Sequence, residues 1–354
     1  MLGDKDIKGD NMKTIIGVGQ TGSRLANIYA KLNPEDVLIT FNTDERDSGG
    51  VKSKGDHVIV QGGAGQNYSR GLKIWAENKE KIERILEPVY DQDIVYFVGG
   101  GGGSGSSSVV TFLNILMKKQ NRILVVPIIP FIKESLPATS NATRMLNRLS
   151  EFSNNMSVFV ATNDEYKKNY GPSYEVINNN IVADVDILTN LVDYHDPKYL
   201  TPFAVDDNDH RSVAFSGGFI NFSFDPLFDP HGGKTFIPKF SYGKIKDATN
   251  ILLVRNVTKD IRDDETMMRG DDLVQSAMKI ASSAKGSRII YGILRVDKKL
   301  KMPEYMTIAT GLDISKVFDK LREKATGSAT IYNEKIHTKE KRKLERSEDK
   351  LLDV

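Results

Sequence analysis

The sequence predicts an α/β protein, with a doubly wound, mainly parallel sheet followed by a smaller mixed α/β domain. Three observations carry that prediction. From Met12 to about residue 165, short apolar runs that read as buried strands alternate with segments whose apolar residues recur at helical spacing. Glycine-bearing turns stand where those strands hand over to helices. Residues 173–195 then hold no proline or glycine, enough for one helix of about six turns, before strands resume in a different rhythm.

The elements follow in order. "KTIIGV" (13–18) is a buried strand, and Leu25, Ile28, Tyr29 and Leu32 then fall on one helical face. "DVLITF" (36–41) and "HVIV" (57–60) are further strands, and "GLKIWAENKEKIERILEPV" reads as one helix up to Pro88. "DIVYFV" (93–98) is a strand, "SSVVTFLNILMKKQ" (107–120) a helix, and "RILVVPII" (122–129) and "SVFVAT" (157–162) are strands. Beyond the long helix, "NILLV", "RIIYGILRV" and "EYMTIAT" are strands around a helical "DDLVQSAMKIASSA". Asp313 can cap a last helix whose Ile314, Val317, Phe318 and Leu321 share a face.

Composition narrows the function classes. The 49 basic and 47 acidic residues nearly cancel, which gives no general reason to expect nucleic-acid or membrane binding. Cysteine is absent, which removes disulfides, thiolate nucleophiles and thiolate metal sites and points to the cytoplasm. The start "MLGDKDIKGDN" is polar, and no apolar run reaches the length of a membrane span, so a soluble, non-exported chain is expected. The five histidines show no metal-ligand spacing, so no transition-metal site is expected.

Three turns, "GVGQTGS" (17–23), "GGAGQN" (62–67) and "GGGGGSGSSS" (99–108), follow strands and precede helices. Such turns leave free N–H groups and a positive helix end facing a crevice, which suits phosphates, and serines 104, 106, 107 and 108 would add hydroxyl donors. Gly17, Gly19 and Gly22, with Asp44 closing the next strand, also make a dinucleotide fingerprint, so an NAD-dependent oxidoreductase is a rival reading. That fingerprint leaves the turns at 62–67 and 99–108 unexplained. A Walker P-loop fails, because "GKT" at 233–235 has Phe228 where its first glycine belongs.

"GGGSGS" (101–106) resembles the tubulin and FtsZ signature GGGTGSG, with Ser107 where the last glycine would stand. "GQTGSR" (19–24), "NTDER" (42–46), "GGAGQN", "PFIKES" (130–135) and "ATNDEY" (161–166) resemble further loops of that superfamily in the same order. The resemblance covers about residues 12–315, and within the superfamily the short form, the serine-bearing signature and the basic tail are most similar to the TubZ branch of plasmid and phage segregation GTPases.

The resemblance implies a site for GTP or GDP with Mg²⁺. Gly19, Gln20, Gly22, Gly63, Gly65, Gly101, Gly102, Gly103, Ser104, Gly105 and Ser106 would surround the phosphates, and Thr21, Asn42, Asp44 and Ala64 would also belong to the nucleotide site. Asn163 would meet the guanine edge, Tyr174 would stack on the base and Asn178 would hydrogen-bond to it, while Glu134 would approach the ribose. The arginine FtsZ places four residues after that glutamate is Ala138 here. In the family an acid loop after the long helix acts on the nucleotide of the next subunit. "FAVDDNDHRSV" offers Asp206 and Asp209, with Ala204 in the asparagine position, and a shift of one residue would promote Asp207.

The expected plan is an N-terminal extension (1–11), a GTP-binding domain (12–172), a central connecting helix (173–196), an activation domain (197–312) and a C-terminal helix with a basic tail (313–354). The function implied is a GTPase forming head-to-tail filaments in a bacterial host cytoplasm. Through the tail, rich in basic residues at "KEKRKLER", such filaments would reach a DNA-binding adaptor on centromere-like DNA, with no membrane involved. A scaffold that binds nucleotide without hydrolysing it is the non-enzymatic alternative.

Overall fold

β1 (Thr14–Val18) is wholly buried and pairs in parallel with β2 (Val37–Asn42) on one side and β4 (Asp93–Gly99) on the other. In the computed structural model, which describes residues 12–45, 55–60, 62–119, 121–195, 204–224, 240–258, 263–297 and 303–323, the sheet continues outward through β3 (Asp56–Ile59) on the β2 side. On the other side stand β5 (Arg122–Ile129), β6 (Ser157–Val158) and β8 (Gly218–Phe219), with β7 (Ala161–Thr162) pairing with the far end of β5. The order β3-β2-β1-β4-β5-β6-β8 is parallel throughout, so the turns leaving β1, β4, β5 and β7 gather at one edge of the sheet.

Alternation along β4 divides the core. Ile94, Tyr96 and Val98 point to the face covered by α2 (Tyr68–Glu77), α4 (Gly103–Leu116) and α5 (Leu136–Phe152), where Trp75 and Phe112 pack edge to face at 5.4 Å. Val95 and Phe97 point to the opposite face, against Leu25 and Tyr29 of α1 (Gly19–Leu32) and, in the same cluster, Ile177 and Ile181 of α7 (Tyr174–Asn190). α3 (Lys79–Ile85) and α6 (Asn163–Tyr170) complete the first layer of helices.

The second sheet runs β11 (Arg288–Val296), β10 (Asn250–Thr258), β12 (Tyr305–Thr310), β9 (Asn221–Ser223). β10 and β11 are parallel, joined through α9 (Asp263–Ser283), and the other pairs are antiparallel, as a mixed α/β second unit requires. α8 (Asp207–Ala214) links the two parts, and α10 (315–323) follows an Asp313 whose carboxylate accepts from the Ser315 N–H at 2.8 Å.

Three local expectations are revised. The helix expected up to Pro88 divides at Asn78, whose side-chain amide bonds back to the Ile74 carbonyl at 2.8 Å, an asparagine competing with the helix ladder. "SVFVAT" divides into β6 and β7. The glycine-rich turn is shorter than 99–108, because α4 begins at Gly103 and takes the serines into its first turns. The N-terminal extension and the basic tail beyond residue 323 lie outside the described residues.

Candidate functional site, a cleft at the sheet edge

The turns after β1 and β4 and the starts of α6 and α7 enclose a cleft of about 470 Å³. Gly19, Gln20 and Thr21 form one wall, Gly101, Gly102, Ser104 and Gly105 the floor, and Glu134, Asn163, Tyr174 and Asn178 the far end, with Gly65 at the side. Among the described residues none of the four helices that start here, α1, α4, α6 and α7, has a side-chain cap on its N-terminal N–H groups. Elsewhere α2, α5 and α8 are capped by Asn67, Ser135 and Asp206. A helix start without a cap leaves donors and a partial positive charge for a ligand, so the cleft is built to receive an anion.

The glycine run divides by purpose. A Cβ on Gly103 would stand 2.6 Å from the Gly65 carbonyl oxygen, and one on Gly105 2.5 Å from the Gly99 carbonyl oxygen. Those two let the loops close on each other. Gly19, at φ +72, brings its Cα region against the Gly105 N–H, where a Cβ would be 3.0 Å away. Gly102 meets nothing within 4 Å in the Cβ direction although it lines the cleft, so no atom of the described residues occupies that space.

Hydroxyls fasten the loops together. Thr43 Oγ1 shares a 2.5 Å hydrogen bond with Ser104 Oγ and accepts from the Ala64 N–H at 3.2 Å, which ties the turns after β2, β3 and β4. Asn141 Nδ2 donates to the carbonyls of Gln66 and Gly101, at 3.0 and 3.2 Å. The hydroxyls of Ser106, Ser107 and Ser108 are committed to the carbonyls of Gly102, Gly103 and Gly105, at 2.5 to 2.6 Å. Of the four serines expected to face a phosphate, only Ser104 lines the cleft, because helical back-bonding claims the other three.

At the far end Tyr174, 55% exposed, leans edge-on against Phe131 at 5.4 Å and donates to Glu134 at 3.2 Å, which holds its ring at the mouth with a face open. The Phe131 N–H donates to the same carboxylate at 3.2 Å. Asn163 is buried, and its side-chain oxygen has no partner among the described residues. A buried acceptor left unpaired costs about 1–3 kcal/mol, so this atom is suited to a donor that arrives with a ligand.

Gly22 supports the cleft without lining it, since a Cβ there would meet the Phe97 carbonyl oxygen at 2.4 Å. Asp44, Gly63 and Ala64 line a neighbouring depression that shares only Gly65 with the cleft. Asn42 lines neither, and its side-chain oxygen accepts from the Thr43 N–H at 3.1 Å while its amide nitrogen is buried without a partner among the described residues. Sequence reasoning passed over Thr43, Asn141 and Arg24. Arg24 lines the cleft, and its signal was available as the one cation in "GQTGSR".

The acid helix stands elsewhere. His210 of α8 is buried, its ring nitrogen 2.9 Å from the Leu188 carbonyl near the end of α7, and burial pushes its pKa down to about 4. Arg211 reaches Asp93, the first residue of β4, at 3.4 Å. The cleft lies beyond Gly99 at the other end of that strand, about 20 Å away by strand rise. Within α8 the acids differ. Asp206 caps the helix by accepting the Asp209 N–H at 2.7 Å, and Asp207 pairs with Arg211 at 2.9 Å. The Asp209 carboxylate makes no hydrogen bond or ion pair among the described residues.

Residues 13–171 match the family model described as Tubulin/FtsZ family, GTPase domain. The sequence has no match among curated proteins. Among solved structures the chain is similar to a GTPγS-form protofilament of Bacillus thuringiensis serovar israelensis TubZ, with TM-score 0.71, 16% identity, and 94% of this chain and 95% of that one covered. It is also similar to CetZ2 from Haloferax volcanii in a GTPγS-bound protofilament, with TM-score 0.67, 18% identity and coverage of 90% and 100%. CetZ from Methanosaeta thermophila gives 0.65 and 19%, covering 95% and 96%. The turn at 17–22 therefore belongs to a GTPase domain and not to a dinucleotide-binding one. Residues 13–171 are a Tubulin/FtsZ-family GTPase domain, set in a chain of tubulin-like fold.

Proposed function

We propose that this chain hydrolyses GTP while stacking head to tail into filaments, each subunit's α8 acid completing the nucleotide cleft of its neighbour. One observation carries the reading: the cleft and Asp209 stand at opposite ends of one strand, so a subunit cannot bring its own acid to its own nucleotide. Two unlike faces that meet head to tail leave one of each free, which propagates an open filament.

Within the cleft, the N–H groups at the starts of α1 and α4 hold the phosphates, with Gln20 and Thr21 beside them. Asn163 accepts from the N–H groups of the guanine edge, Asn178 adds an amide, and Tyr174 stacks on the base. Asp209 of the adjoining subunit orients or deprotonates the attacking water. Mg²⁺ would be carried there chiefly by the phosphates and water. Bound there, Mg²⁺ would neutralise charge on the β- and γ-phosphates.

The cargo reading is DNA segregation for a plasmid or phage in a bacterial cytoplasm. It rests on the likeness to TubZ and on the basic run "KEKRKLER", suited to an adaptor bound to centromere-like DNA. Among the described residues no helix is long and apolar enough to cross a membrane.

Competition binding followed by phosphate release tests the proposal. Guanine nucleotides should displace adenine nucleotides and NAD by at least about a hundredfold, since an unpaired base edge is strongly rejected. Phosphate should appear on assembly. Equal NAD affinity would overturn the nucleotide assignment, and assembly without phosphate would leave a passive scaffold.

A further inference from the structure

A second cavity, of about 250 Å³, lies where α6 and α7 meet β9 of the second sheet, away from the nucleotide cleft. Five aromatic rings wall it. Tyr166 and Tyr170 stack at 5.9 Å, Phe159 and Phe222 at 5.6 Å, and Phe224 leans on Phe222 at 4.9 Å. Two carboxyls, Glu165 and Asp184, share the same walls.

The two acids are provided for differently. Glu165 has the hydroxyls of Ser241 and Thr162 beside it and the ammonium groups of Lys168 and Lys320 nearby. Asp184 accepts the Tyr166 hydroxyl on Oδ2, while among the described residues Oδ1 makes no hydrogen bond and no basic group acts on the carboxyl. Burial, and then the charge of Glu165, raise its pKa to about 7 even against the Tyr166 hydrogen bond. A half-used carboxylate in an aromatic box has one chemical complement, a cation with an apolar body. Ring faces attract the charge, and Oδ1 accepts its N–H.

We propose that this cavity is a binding site for a small organic cation, an ammonium or guanidinium group on a short alkyl or aryl stem, held by Asp184 and the Tyr166–Tyr170 pair. The volume admits a few carbons and excludes a nucleotide. The walls come from α6 and α7, whose first turns form the far end of the nucleotide cleft, and from β9 of the other sheet. An occupant therefore braces the central helix against the second domain. The site does not depend on the reading of the cleft.

Calorimetric titration of the full chain with tyramine and agmatine tests it, with glutarate as the anionic control. Both amines should saturate one site at pH 7, and glutarate should give no heat. Asp184→Asn, which keeps an acceptor for the Tyr166 hydroxyl, should weaken binding at least about tenfold, and Tyr170→Ala, at an exposed ring, at least about threefold. Glu175→Gln, at an exposed acid on the same helix, should change nothing. Because the amine displaces a proton from Asp184, the wild-type heat should vary with the buffer's ionisation enthalpy, and that variation should vanish in Asp184→Asn. No saturable heat with either amine up to about 10 mM, a range that covers dissociation constants up to about 1 mM with tenfold excess, would overturn the proposal. So would unchanged affinity in a folded Asp184→Asn.

Discussion

Gly102→Ala separates the nucleotide's demands from those of the fold. Gly102 stands before the first turn of α4 at φ −83 and ψ 158, a conformation alanine adopts freely, and its Cβ would meet no atom of the described residues within 4 Å. Losing glycine from the cap position costs a few tenths of a kcal/mol up to about 1 kcal/mol, while stiffening the unfolded chain returns about 0.4–1 kcal/mol. The apoprotein should therefore keep its stability within about 0.5 kcal/mol. With nucleotide present the methyl occupies the phosphate's space. Loss of one hydrogen bond to a charged oxygen, about 1.5–3 kcal/mol, is a ten- to hundredfold fall in affinity. At a GDP concentration about a hundred times the wild-type Kd, the wild type gains about 2.7 kcal/mol in denaturant unfolding, and a variant weakened a hundredfold gains only about 0.4 kcal/mol. Gly103→Ala is the contrast, because its Cβ would stand 2.6 to 2.8 Å from the backbone of Gly65 and Asn67 and should cost about 1–3 kcal/mol without any ligand. If Gly102→Ala keeps the full nucleotide-dependent gain, the phosphates do not lie on the floor of this cleft and the reasoning fails.

Asp209→Ala should retain GTP binding and filaments while turnover falls about 10²- to 10⁴-fold, read by phosphate release and pelleting. Equal loss of nucleotide affinity would assign Asp209 a binding role. Asp184, with a folded pKa raised to about 7 from 3.8, holds a proton that the unfolded chain has released, so the wild type loses stability as pH climbs from about 4 through 7. Asp184→Asn escapes that loss, and its advantage in melting temperature should be near zero at pH 4 and largest at pH 8. Truncation after Gly327 should preserve GTP-dependent assembly but abolish salt-sensitive cosedimentation of an adaptor–DNA complex. Unimpaired cosedimentation would move the adaptor's grip to the filament wall.

The first domain was legible because its signals are local. β4 and β5 occupy the runs read from sequence, since continuous apolar stretches rich in β-branched residues have few alternatives. Strand-end turns marked the cleft because a free helix start has no use inside a folded core. Side-chain competition escaped the pattern. Asn78 breaks a helix through its own amide, and three serines of the signature turn inward to carbonyls instead of outward to a ligand. Which acid of α8 is available also needed coordinates, because the cap at Asp206 and the ion pair at Asp207 depend on where Arg211 and the helix start fall. The aromatic cavity joins α6, α7 and β9 across long sequence separations, which no periodicity announces.

Complementation tests the shared site most directly. Asp209→Ala keeps a working cleft without the acid, and Gly102→Ala keeps the acid with a weakened cleft. At a GTP level that fills only the first variant, each protein alone should release little phosphate. Mixed in equal amounts, they form junctions in which the acid of one meets the nucleotide of the other. Phosphate release from the mixture should then exceed the sum of the separate rates several-fold. A mixture that releases no more than that sum would show that each subunit completes its own site.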